Sequence, residues 1–315
     1  MLAAIQVGAW TCLESPARSC DCSNIVGDCS ATNETIRTCC IRGYQNTLAC
    51  LLQINFLPQG SLASSLDCSM EVAIRRGHLQ IASMLMEAGA DVNFRRKVTY
   101  SPLQLAALRG NLEIVQMLLD NGQNPDLASS YTMTAEQRIG ETYRPIGTSV
   151  QNTTTVKNFE VLEMLLKHGA NPNATTTYLP HSALQVACRD GSLDLLALLL
   201  EYGANVNSPP ARKFGATALQ FAAIRGYAGI AHLLLQKEPD VNAEPAEHEG
   251  RTALEGAAEH GRIYMLQLLK NAGAHISDSP QGQYQRALRR VVNNGHLAAA
   301  NLLRSSLAEH VEKCG

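Results

Sequence analysis

The sequence predicts an all-α solenoid of about eight helix-turn-helix units with hairpin-like turns. Three observations predict it. An apolar anchor, a small residue three positions on and a Gly seven positions on recur every 33–35 residues, with one longer gap. A second apolar cluster starts seven residues after each Gly. It has the i, i+3, i+4 spacing of an amphipathic helix, as in Leu112, Val115, Leu118 and Leu119. Segments such as Asp91-Val92-Asn93 and Asn205-Val206-Asn207 then follow a further Gly as turn formers. A length of 315 residues alone suggests two or three domains; the period instead makes one array, because no unit buries its apolar face by itself.

The units follow in order. Ile36, Cys39 and Gly43 open a degenerate first unit, with Cys50-Leu51-Leu52 as its second cluster. Met70, Ala73 and Gly77 lead to Met84-Leu85, and Leu103, Ala106 and Gly110 lead to Met117-Leu118. Val150 and Thr153 start the least regular unit, which has Lys157 where Gly is expected and then Met164-Leu165-Leu166. Leu184, Leu219, Leu254 and Leu288 anchor the rest, with Gly191, Gly226, Gly261 and Gly295 seven positions on. The anchor gaps are 34, 33, 47, 34, 35, 35 and 34 residues. In each first helix, paired small residues such as Ala106-Ala107 let neighbours approach closely, and the Gly ends the helix where a positive φ costs it little.

Three segments fall outside the period. Residues 1–32 are expected to be a Cys-rich, poorly ordered leader, residues 33–306 the array, and 307–315 a tail. The 47-residue gap implies an insert near 127–147, either a partner-contacting finger or a tolerated loop. The Asn152-Thr153-Thr154-Thr155 run beside it marks the expected flexible point. The cysteines crowd into the first 50 residues, but their gaps lack the C-x₂₋₄-C pairs of a zinc site. Register places Cys39, Cys40, Cys50 and Cys188 among reduced core residues. Cys12, Cys20, Cys22 and Cys29 stay unassigned between a disordered leader, a metal or disulfide knot and a redox sensor.

On the residues Ser101-Pro102-Leu103-Gln104-Leu105-Ala106-Ala107-Leu108-Arg109-Gly110, on Thr252 to Gly261 and on the Gly-Ala-Asx-Val-Asn turns, the chain resembles the ankyrin repeats, in the style of filamentous-fungal arrays. It departs at one position. Where the family usually has His after the anchor, this chain has Gln104, Gln151, Gln185 and Gln220, or Glu71 and Glu255. Gln can still bridge, so the fold is expected to survive. The resemblance implies a non-catalytic scaffold or adaptor, regulatory in role, that binds a partner on its concave face. Two other readings stay open: a transcription coregulator, for example of a fungal secondary-metabolite gene cluster, acting through a protein partner, and a secreted effector.

Composition narrows the function classes. With 26 basic and 28 acidic residues the chain is no globally basic nucleic-acid binder. Its longest aliphatic run, Leu195 to Leu200, is far too short to span a bilayer. Met1 to Trp10 has no basic start, so no signal peptide is expected. No G-x-S-x-G, H-E-x-x-H, Walker A or G-x-G-x-x-G motif is found, and no catalysis, metal or cofactor is expected. The expected partner is a protein bearing acidic or phosphorylated groups, bound by an intracellular monomer in cytoplasm or nucleus.

The candidate binding residues come from register. Six positions after the anchors stand Arg42, Arg76, Arg109, Val156, Asp190, Arg225, His260 and Asn294. One position earlier adds Arg75 and Arg189, and the preceding turns add Lys97, Arg144 and Lys213 with Tyr100, Tyr178 and Phe214. The second helices collect Glu87, Glu113, Asp120, Glu160, Glu163, Asp194 and Glu201. A near-neutral chain can thus present two opposed faces. The alternative is that each Arg only complements the dipole at its helix C-terminus, worth ~0.3–1 kcal/mol.

Overall fold

A computed structural model describes residues 29–53, 62–93, 100–127, 147–176, 179–275 and 282–314. The leader to residue 28, the core of the insert (128–146), Lys97, Arg144 and Tyr178 lie outside them. Among the described residues there are sixteen helices and no strand beyond one isolated bridge. The class is the predicted all-α helical repeat. The chain divides into two compact units, Met1–Asn152 and Thr153–Gly315, each taken by itself below.

In the first unit, α1 (Cys29–Arg42), α3 (Leu62–Arg76) and α5 (Pro102–Arg109) pack side by side as one layer. Behind them α2 (Gln45–Gln53), α4 (Leu79–Glu87) and α6 (Leu112–Asp120) form a second layer. The sequence dictates each boundary. Ser101 Oγ accepts from Gln104 N while Gln104 Oε1 accepts from Ser101 N at 2.8 Å, and Pro102 follows at the first helical position. Such a cap contributes about 1 kcal/mol and starts α5 at a defined residue. Gly110 ends it at φ 69, in the left-handed region. The core is aliphatic: Met70, Ala73, Leu103, Ala106, Ala107, Ile114 and Leu118 are fully buried.

The unit boundary falls within α7 (Ser149–Val156). This helix buries Asn152, Thr153 and Thr154, where α5 buries Leu105, Ala106 and Ala107. The second unit continues with the first-layer helices α9 (Ala183–Asp190), α11 (Ala218–Arg225), α13 (Ala253–Glu259) and α15 (Gln283–Asn293). Its second layer is α8 (Phe159–Lys167), α10 (Leu193–Glu201), α12 (Ala228–Leu235), α14 (Ile263–Asn271) and α16 (Leu297–Cys314). Lys157 takes φ 59, the conformation that Gly adopts at this position elsewhere. Close approach between neighbours also selects glycine: a Cβ at Gly191 would stand 2.9 Å from the Tyr227 ring.

Two expectations are corrected. Leu288, the predicted last anchor, is only half-buried; the turn of α15 sends Tyr284, Ala287 and Val291 into the core instead, and the Tyr284 hydroxyl donates to Leu303 O at 3.0 Å. Cys39, Cys40 and Cys188 are free and buried, but Cys50, on the outer layer, is only half-buried. Burial pushes the Cys39 thiol up to about 11 and, with the neighbouring Cys39 charge, the Cys40 thiol up to about 12. Burial raises Cys188 as well.

Candidate functional site: the exposed ends of the first-layer helices

What ties several first helices to the following turn is the Gln after the anchors Leu103, Leu184 and Leu219. Its oxygen closes the cap of its own helix, which leaves the amide nitrogen free to reach the next turn. Gln104 Nε2 donates to Gly147 O at 2.7 Å, Gln185 Nε2 to Ser208 O and Pro209 O at 3.0 and 2.9 Å, and Gln220 Nε2 to Ala243 O and Glu244 O at 2.9 and 3.2 Å. The expected bridging role of Gln is therefore found at atomic level. The Asn of each turn adds a second ladder: Asn93 Oδ1 accepts from Asn124 N, Asn173 Oδ1 from Asn205 N, Asn207 Oδ1 from Asp240 N and Asn242 Oδ1 from His275 N, at 2.7–3.2 Å. His78 and His296 lie over Gly43 and Gly261 of the preceding helices, as structural residues.

A carboxylate in the same slot cannot donate, and at Glu255 the bridge is rebuilt with cations. Glu255 is buried, and its carboxylate accepts from Arg286 and faces Arg290 at 3.9 Å, both on α15. Glu259, one turn on, accepts from Arg251 at 2.6 Å and pairs with Arg290 at 3.3 Å. Burial pushes the Glu259 carboxyl up, but the Arg251 hydrogen bond and charge, with Arg290 and His260, outweigh it and hold it below the ordinary carboxylate value.

These ladders place the ends of the first helices in one register. In the first unit Arg42, Arg76 and Arg109 occupy equivalent positions on α1, α3 and α5; all three are exposed and have no ion pair among the described residues. Arg75 beside them is held by Glu71 at 2.7 Å. In the second unit the register reads Asp190, Arg225, His260 and Asn294. Arg189 is held by Asp190 at 2.9 Å and Asn294 Nδ2 donates to Glu259 O, which leaves Arg225 and His260 exposed. Glu87, Glu113 and Asp120 in the first unit, and Glu160, Asp194 and Glu201 in the second, are exposed on the second-layer helices; Glu163 is half-buried beside Lys167.

The turn residues are less uniform. Tyr100 is half-buried and engaged within the chain. Lys213 and Phe214 cap an exposed turn, Phe214 at 73% exposure and φ 53. Lys213 pairs with His248 of the next turn in a parallel bridge, and Arg212 binds Glu247 at 2.6 Å. Sequence reasoning missed His248 and the Arg212–Glu247 pair. The usable signal was their spacing of 35 residues, one full repeat. No group of three or more His, Cys, Asp or Glu among the described residues has metal-holding geometry, and no described helix is long and apolar enough to cross a membrane.

Comparison with known proteins agrees with this architecture. A family model described as ankyrin repeats, in three copies, matches residues 36–129, 153–245 and 209–280. No curated protein matches the chain.

Proposed function

The chain belongs to the ankyrin repeat family, whose repeats are protein–protein interaction modules, and on that premise we propose that it is a non-catalytic regulatory adaptor for a partner bearing acidic or phosphorylated groups. The contact surface is the exposed ends of the first-layer helices. The observation that carries this reading is the recurrence of unpaired arginines at one repeat register. Arg75, Arg189, Arg212, Arg251, Arg286 and Arg290 are all answered by the chain's own carboxylates. Arg42, Arg76, Arg109 and Arg225 are exposed at one register with no such answer among the described residues. Dipole compensation alone explains a base at a helix end; it does not require that base to be kept clear of acids.

Arg75 and Arg189 are secondary contributors, since an external acid must compete with Glu71 and Asp190. Phe214 and Lys213 extend the surface in the second unit, with His260 at its far register position. The reading sets the chain inside the cell. Consistent with that, Asn152, in the glycosylation tripeptide Asn152-Thr153-Thr154, is buried and its amide nitrogen donates to Gly147 O.

The test is affinity capture from the native source with the full chain and with the Arg76→Glu, Arg109→Glu, Arg225→Glu variant. The reading expects the partner to be lost from the variant and to be eluted from the wild type by salt. Equal recovery on both, at every salt concentration, would overturn it.

A further inference from the structure

The first unit differs from the second in holding three consecutive unanswered arginines, and their geometry restricts what they can bind. Arg42, Arg76 and Arg109 are the last residues of α1, α3 and α5, three helices packed in sequence as neighbours. Packed helices lie roughly 8–10 Å apart, so the three guanidinium groups stand on a ladder with about that step. A segment in the extended polyproline-II conformation advances about 3.1 Å per residue with three residues per turn, so every third side chain lies on one face at a step of about 9 Å. A helix rises only ~1.5 Å per residue and meets the same step at every seventh residue.

The surroundings favour an extended segment with apolar residues between its acids. One position before the arginines stand Ile41, 38% exposed, Arg75, already held by Glu71, and the half-buried Leu108. The remaining charges of these helices are Glu34, Arg37, Asp67 and Glu71. Glu71 is taken by Arg75, and the Asp67 carboxylate accepts from Asp91 N at 3.2 Å. The C-terminal ends of α1, α3 and α5 are thus basic: the partial negative charge of a helix end, about half an elementary charge, is outweighed by a full guanidinium charge that also donates charge-assisted hydrogen bonds.

Resting on the adaptor reading above, we infer that Arg42, Arg76 and Arg109 form a three-step reader for an extended protein segment carrying carboxylate or phosphoryl groups at every third residue. Each guanidinium takes one anionic group in the bidentate geometry that suits both chemistries. The central Arg76, flanked on both sides, contributes most.

Fluorescence anisotropy with the full chain tests this. The probes are labelled peptides of one composition, with three Glu at i, i+3 and i+6 or three Glu in a row, in a Pro- and Ser-rich background that prevents helix formation; phosphoserine versions distinguish the two anion sources. The spaced peptides are expected to bind about tenfold tighter than the clustered ones, as three exposed pairs acting together allow. Arg76→Gln should weaken the spaced peptide more than Arg42→Gln or Arg109→Gln, Arg76→Lys should restore part of the loss, and Lys237→Gln, an exposed cation outside the proposed contact surface, should leave it unchanged. All are exposed substitutions, and circular dichroism checks that the helices are retained. Equal affinity for spaced and clustered peptides, binding to neither, or a loss in Lys237→Gln equal to that in Arg76→Gln overturns the reader. If the native partner is still lost from the charge-reversed chain in that case, the adaptor reading stands without it.

Discussion

The two compact units are built from the same hairpin of helices, yet they treat charge in opposite ways. In the first, the cations at the first-helix ends are left open and the inter-helix bridge is a neutral amide, Gln104. In the second, cations are consumed internally: Arg189 by Asp190, Arg212 by Glu247, and Arg251, Arg286 and Arg290 by Glu255 and Glu259. The slot after the anchor shows how the two uses divide. Gln104, Gln185 and Gln220 bridge to the following turn with their own amides. Glu255 instead takes Arg286 and Arg290 from the next repeat, whereas Glu71 takes Arg75 of its own helix and leaves Arg76 open. Stability and recognition therefore draw on the same side chains, and the register assigns them.

The largest test of that contrast is at Glu255. Removing both cations, with Arg286→Ala and Arg290→Ala, leaves a carboxylate that is 3% exposed without its partners. Breaking a fully buried pair costs roughly 3–5 kcal/mol. Here the arginines are 39% and 30% exposed, so solvent screens part of the charge, and an unfolding free-energy loss of about 2–3 kcal/mol is expected in urea titration. Adding Glu255→Gln should recover most of it by restoring the neutral bridge. If the double variant is as stable as the wild type, the second unit is not held by this network.

How much of this was legible in the sequence follows from the range of each interaction. Within-repeat features were readable because they are local. The Gly at helix ends, the paired small residues, the Asx turns and the Gln after the anchor all recur at fixed offsets. Pairing across repeats was not readable in the same way, because Arg286 and Glu255 are 31 residues apart and Arg212 and Glu247 are 35 apart. Periodicity aligns such residues without saying which rotamers meet. Arg75 and Arg189 looked equivalent to Arg76 and Arg109 for that reason, until Glu71 and Asp190 proved to hold them. Burial misled at the ends of the array. Leu288 had the right spacing, but α15 rotates Tyr284 and Ala287 inward instead. The Thr-rich α7 forms despite poor propensity because its buried polar groups bond within the fold, as when Asn152 Oδ1 accepts from Gly147 N at 3.1 Å.

The second unit should also carry a pH signature that the Gln-bridged hairpins lack. Glu259 is held below its ordinary value of 4.5. A carboxyl depressed in the folded state contributes stability that is complete above the unfolded value and is lost as pH falls through the folded one. Thermal unfolding from pH 6 down to the acid range should therefore show a stability loss that Arg251→Ala reduces. An identical pH profile in that variant would show that Arg251 does not set the Glu259 charge. The smallest expected effect is at Lys157, which sits at φ 59 and whose Nζ donates to Asp190 O at 3.2 Å. Lys157→Gly should stabilise the chain by about 0.5–1 kcal/mol, less the loss of that exposed contact. Destabilisation would mean that the contact outweighs the left-handed strain.

The claim that the open arginines are the recognition surface is tested most directly by the salt dependence of partner binding. With the captured partner purified, its dissociation constant is measured across a salt series for the wild type and for the Arg42→Glu, Arg76→Glu, Arg109→Glu variant. The account predicts affinity that weakens steeply with salt in the wild type, and a weaker, nearly salt-independent interaction in the variant. The same affinity and the same salt slope in both proteins would contradict it.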